Sequence, residues 1–220
     1  MTINQADSPF HFYTAAYLTR IRNQRAQNIR ELADGICACS DASIFYHVFQ
    51  TLDRHHFMRD GFSNDFAHWV LTATHRPELA ERLASIDIRE YLSLTALRED
   101  LYALAAGYCN DHQAEVSQRG LEPFYFCESA EVTVPLAMTA SSLQEFRDAL
   151  PYLSHASFYY HFISSRLRLQ LRTNDFSLWL GDCLGLGALS DQMEHLDIYT
   201  DTLENVRMRV IALLDKELES

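Results

Sequence analysis

His47, Thr51 and Arg54 follow one another at steps of four and three residues. His161, Ser165 and Arg168 do so again, with Arg172 four residues further on. Both segments read H-x-x-x-[ST]-x-x-R, and on an α-helix those steps bring the side chains to one side. A histidine, a hydroxyl and a guanidinium in a row offer a run of hydrogen-bond donors. The arginine adds a planar fork suited to a carboxylate or phosphate. The pattern predicts an anion-binding strip, written twice. The bland reading is internal: each strip pairs with the chain's own carboxylates. Asp65 and Asp175 on the following helix, or Asp87 and Asp197, are the nearest candidates, and 30 acidic residues make this the favoured expectation. Tyr46 and Tyr160 stand directly before the histidines. Beside a histidine a tyrosine can move protons, although it more often packs as an aromatic with its hydroxyl bonded at the core's edge.

Other chemistry leaves no mark. There is no Walker loop, no G-x-G-x-x-G, no G-x-S-x-G and no H-E-x-x-H. Asp65-x-x-His68 has the i, i+3 spacing of two metal ligands, but its counterpart carries Leu178 in place of the histidine. His55 and His56 are adjacent and point about 100° apart on a helix, so they cannot face one ion. No metal site, no catalytic residue and no cofactor is assigned.

The elements that must position these residues also come in two sets. At an offset of 114, Phe10-His11-Phe12 meets Phe124-Tyr125-Phe126, and Ser43 with Tyr46-His47 meets Ser157 with Tyr160-His161. At 110, Asn64-Asp65-Phe66 and Trp69 meet Asn174-Asp175-Phe176 and Trp179. Rare residue types matching in order predict a duplication. Each copy opens on a short extended, aromatic-rich stretch. A first helix is expected near Asn23 to Ala38, and its partner near Ser141 to Leu150. Ser43 and Ser157 are read as N-caps of the second helix, and Asn64 and Asn174 as caps of the third. Phe66, Trp69, Val70 and Ala73 then fall at i, i+3, i+4 and i+7, an apolar helical stripe that Phe176, Trp179, Leu180 and Cys183 repeat. Pro77 suits the first turn of a fourth helix. The expected fold is therefore mainly α: two tandem homologous helical repeats, residues 10–106 and 124–217, joined by a linker at 107–123 and packed about a pseudo-twofold axis.

Composition excludes several classes. The net charge of −12 with no Lys/Arg run argues against a nucleic-acid groove. The densest basic stretch, Arg20 to Arg30, is expected to be a solvated helix face or a salt-bridge donor. No segment reaches eighteen apolar residues and no leader pattern precedes the fold, so neither membrane insertion nor export is expected. Five cysteines, an odd number without close C-x-x-C pairs, fit a reducing cytoplasm.

The motifs F-x-F, S-[IF]-x-Y-H, N-D-F-[AS]-x-W and [IL]-D together resemble an uncharacterised bacterial and archaeal domain-of-unknown-function family. The resemblance runs from Phe10 to Leu101 and returns less densely in the second half. It implies no activity. The leading reading is a soluble ligand-binding or protein-interaction module. Its site would be formed by Tyr46, His47, Thr51, Arg54, Tyr160, His161, Ser165, Arg168 and Arg172, supported by Asp65 and Asp175, and would hold a small anionic ligand or a protein partner where the repeats meet. One alternative is an enzyme of unknown reaction using a Tyr-His pair. A second is a scaffold without a ligand.

Overall fold

The computed structural model describes residues 5–50, 64–169, 171, 173–196 and 202–219. Its first element is a strand of 22 residues, β1 (Gln5–Ala26). A second strand of 19 residues, β2 (Phe124–Ser142), pairs with it in an antiparallel two-stranded sheet. Helices follow each strand. After β1 come α1 (Ile29–Ala38), α2 (Asp41–Phe45), α3 (Asp65–Thr74), α4 (Pro77–Ala84) and α5 (Leu94–Asp111). After β2 come α6 (Leu143–Ala149), α7 (His155–Tyr159), α8 (Ser165–Arg168), α9 (Asp175–Leu184), α10 (Gly187–Glu194) and α11 (Leu203–Leu218). Among the described residues no helix is long and apolar enough to cross a membrane.

This is an α/β fold, and the expectation of mainly α tandem repeats with short extended segments is corrected. The strands are long where short extensions were expected. Asn23–Ala26, expected to start a helix, belongs to β1, and α1 begins only at Ile29. Arg20, Arg22 and Arg25 therefore lie on a strand. The stretch LTRIRNQR carries helix-compatible arginines and glutamine, but its state is set by pairing with β2, about a hundred residues away, which local propensity does not register.

The chain forms two compact units, one discontinuous in sequence and one continuous. One combines Met1–Tyr17 with Glu131–Ser220, and the other is Leu18–Ala130. In the first, Phe10 and Phe12 alternate with the exposed His11 and pack on helices from the far end of the chain. The Phe10 ring lies 5.3 Å from Phe146 and 5.6 Å from both Phe176 and Trp179. Trp179 Nε1–H donates to the Ser8 carbonyl at 2.8 Å. In the second unit, Phe124 and Phe126 of β2 alternate with the exposed Tyr125 and pack on helices that precede them. Phe124 lies 5.3 Å from Phe66 and 5.9 Å from Trp69. Trp69 Nε1–H donates to the Glu122 carbonyl at 3.0 Å. The first unit thus takes its aromatic strand from the N-terminal end of the sequence, and the second from the end of its own continuous stretch. Phe12 and Phe126 are fully buried, and burial of one such side chain stabilises by about 1.5–3 kcal/mol.

The helix starts follow side-chain capping. Asn64 and Asn174 accept from Ala67 N–H and Ser177 N–H, at 2.9 and 3.0 Å, and cap α3 and α9 as expected. Asn28 and Ser142 cap α1 and α6. The caps of α2 and α7 are Ser40 and Ser154, three residues before the serines expected there. Ser43 and Ser157 are buried inside those first turns, and Ser157 Oγ donates to the Tyr13 carbonyl. The stripes Phe66, Trp69, Val70, Ala73 and Phe176, Trp179, Leu180 are buried. Pro77 occupies the first turn of α4.

Gly35 on α1 is a close-approach position. A Cβ there would overlap the ring of Phe126, which is fully buried and cannot swing away. Gly35→Ala is expected to lower stability by about 1–3 kcal/mol despite the better helix propensity of alanine. Urea denaturation checks this, and an unchanged or raised midpoint would contradict the packing described.

Candidate functional site

The polar centre of the first unit is His161. It follows α7 on a widened π-helical turn, Tyr160–Ser164, whose side chains are buried. Such turns recur at functional positions because the wider coil re-aims side chains. His161 is 2% exposed, with Phe10 of β1 4.9 Å and Phe176 of α9 5.5 Å from its ring. Its Nε2 accepts the backbone N–H of Tyr13 at 2.8 Å. A backbone amide can only donate, so Nε2 carries a lone pair and the proton sits on Nδ1. That Nδ1–H donates to Asp175 Oδ2 at 2.8 Å. Burial pushes the pKa of His161 down, and the Asp175 carboxylate opposes this less strongly. The result is a neutral imidazole with both nitrogens committed.

Asp175 opens α9, where a negative charge suits the helix N-terminus. Its Oδ2 also accepts from Arg168 Nη2 at 2.8 Å. The Arg168 guanidinium lies 4.5 Å from the centre of the Tyr160 ring and its Nη1 is 3.9 Å from Glu131 Oε1. Glu131 in turn accepts from Ser164 Oγ at 2.6 Å. Ser165 Oγ donates back to the His161 carbonyl. Burial pushes the Tyr160 phenol pKa up, which keeps it protonated. In this unit the His/hydroxyl/Arg strip is therefore paired internally: the histidine and arginine meet on Asp175, and the hydroxyl turns to the backbone.

An open recess of about 350 Å³ lies over this cluster. Phe10, Tyr13, Trp179 and His161 form its aromatic depth. His11, Arg168, Leu178 and Asp182 bring exposed groups to it. Of the residues predicted from sequence, Tyr160, His161, Arg168 and Asp175 line this recess. Phe10, His11, Tyr13, Leu178, Trp179 and Asp182 line it too and were not among those predicted. The α9 residues were legible, because Asp175, Leu178, Trp179 and Asp182 fall at i, i+3, i+4 and i+7 of one helix. The β1 residues were not, because nothing local links them to helices 140 residues on.

The second unit holds a corresponding cluster. His47 is 2% exposed and also lies on a π-helical turn, Tyr46–Gln50. Its Nδ1–H donates to Asp65 Oδ2 at 2.8 Å, and its Nε2 accepts Cys127 N–H at 2.9 Å. The Tyr46 and Thr19 hydroxyls bond each other at 3.1 Å. Thr51, Arg54 and Arg172, together with Asp197, lie outside the described residues. Among the described residues no group of three His, Cys, Asp or Glu side chains is placed to hold a metal ion.

Comparison with protein families matches residues 7–215 to a family of unknown function, DUF5752. The match runs as one stretch, where two copies of a shorter family unit were expected. Among solved structures the chain is similar to OrfY from Thermoproteus tenax, with 31% identity, a TM-score of 0.83 and 96% of each chain covered. No curated protein matches. The chain belongs to the DUF5752 family.

Proposed function

We propose that this DUF5752 protein is a ligand-binding module and not a catalyst, and that the recess over His161 is its site. The observation that carries the reading is one pairing of features. The recess has the volume and aromatic lining of small-molecule sites, while the histidine beneath it has no nitrogen left for proton transfer. An acid–base role for Tyr160 and His161 would require breaking the bond to Tyr13 or to Asp175. The raised pKa of Tyr160 further disfavours it as a base.

Charge narrows the ligand. Arg168 already serves Asp175, and Asp182 adds a second carboxylate to the lining. A multiply charged phosphate is disfavoured. A flat or apolar small molecule with a single carboxylate, or a zwitterion, suits one guanidinium, the carboxylates and the rings of Tyr13 and Trp179. The proposed setting is the cytoplasm, since all five cysteines are free thiols.

The test is thermal denaturation against amino acids and aromatic monocarboxylates, with inorganic phosphate as the contrast. A ligand at a hundredfold excess over its Kd adds about 2.7 kcal/mol, which is several degrees for a chain of this size. Stabilisation by a member of the first set, lost in Tyr13→Ala and Arg168→Ala, is expected. Stabilisation by phosphate alone, or stabilisation indifferent to both substitutions, would contradict the assignment.

A further inference from the structure

We propose that the exposed stretch Leu18–Arg25 of β1 is a docking edge for an extended, acidic segment of a partner protein. The first observation is burial. All six residues from Leu18 to Asn23 are exposed, so this part of the strand is open on both faces. Leu18 and Ile21 are 63% and 65% exposed. The second is pairing. The sheet has two strands, so β1 has one edge without a strand partner among the described residues. An unpaired edge presents backbone N–H and C=O groups that another extended chain can complete.

The third observation is charge, and it selects the occupant. Arg20 and Arg22 share a single carboxylate, Glu128, at 3.4 and 3.1 Å, and their side chains remain 64% and 50% exposed. Arg25 is exposed and makes no ion pair among the described residues. This cationic strand belongs to a chain whose net charge is −12. A second copy pairing edge to edge through this stretch would set arginine near arginine, which is unfavourable for directly opposed like charges. A segment alternating carboxylates with apolar residues fits instead. Its acids fall beside Arg20 and Arg22, which are two residues apart and so on one side of the strand, and its apolar side chains lie on the other side, with Ile21.

The experiment uses the full chain and two capped probe peptides, four repeats of Glu-Val and four of Lys-Val. Binding is followed by fluorescence anisotropy, and its place by amide exchange. The Glu-Val peptide is expected to bind at low salt, to weaken as salt rises, and to protect amides within residues 18–25. Arg20→Glu with Arg22→Glu should weaken it at least about tenfold. Arg25→Glu, which leaves the Glu128 pairs intact, should weaken it less but measurably. No binding, or equal binding of both peptides, would overturn the proposal and leave the arginines as guards of an edge. So would a concentration-dependent dimer whose formation protects the same amides, since that would make a second copy the occupant.

Discussion

Expressed separately, residues 1–116 and 117–220 are expected to fold only when mixed. The reason is the exchange of aromatic strands. The first fragment keeps the helices that hold His47 but loses Phe124 and Phe126, the Cys127 N–H that His47 accepts, and the Glu122 carbonyl that Trp69 needs. The second keeps the helices around His161 but loses Phe10, Phe12, the Tyr13 N–H and the Ser8 carbonyl. Emptying one buried phenylalanine site costs about 3–5 kcal/mol, and each fragment lacks two. That is comparable to the whole stability of an ordinary domain, about 5–15 kcal/mol. Each fragment alone should melt without a cooperative transition. An equimolar mixture should recover one, with a sedimentation coefficient near that of the intact chain. Either fragment melting alone at the intact chain's temperature would contradict the exchange.

Replacing His161 with alanine is expected to lower stability by about 3–5 kcal/mol, combining a core cavity with a half-buried Tyr13 N–H that has lost its acceptor. Asp175 loses one donor and keeps Arg168. The same substitution should change the pH dependence. In the folded chain the pKa of His161 is lowered, so the unfolded chain takes up the proton first as pH falls. This contribution is fully present above the unfolded pKa of about 6.5. It is lost as pH falls from there toward the folded value, with a slope of at most about 1.4 kcal/mol per pH unit. The charged or titratable groups around the ring are Asp175 from α9, Arg168 from α8, Tyr13 from β1 and the neighbouring Tyr160. Urea denaturation of the wild type should steepen in pH below about 6.5, and His161→Ala should lack that increment. A variant within about 0.5 kcal/mol of the wild type, the range of ordinary surface changes, would show that the histidine does not pin the strand.

Much of the helical content was legible because its causes are local. Asn64 and Asn174 sit where an amide side chain can cap, and the stripe led by Phe66 and Trp69 keeps the helical period. The partners of the histidines were also legible, since Asp65 and Asp175 begin the helices that pack against the Tyr-His turns. What could not be read locally is the route of the strands. Phe10-x-Phe12 and Phe124-x-Phe126 offer nearly the same side chains, so contact chemistry does not say which set of helices each one covers. The caps Ser40 and Ser154 were displaced by three residues in the reading because Ser43 and Ser157 recur in the more conspicuous Tyr-His motifs. The arginines of β1 looked helical for want of any local signal that β2 would pair with them.

The Tyr-His pairs first suggested chemistry, and the geometry gives the histidines another role: each one accepts a backbone N–H from a strand, His161 from Tyr13 and His47 from Cys127. Nitrogen NMR of the histidine rings tests that most directly. His161 is expected to show protonated Nδ1 and unprotonated Nε2 at neutral pH, with Nε2 hydrogen-bonded to the Tyr13 amide. A proton on Nε2, or an imidazolium at neutral pH, would contradict the account and return His161 to the candidates for acid–base chemistry.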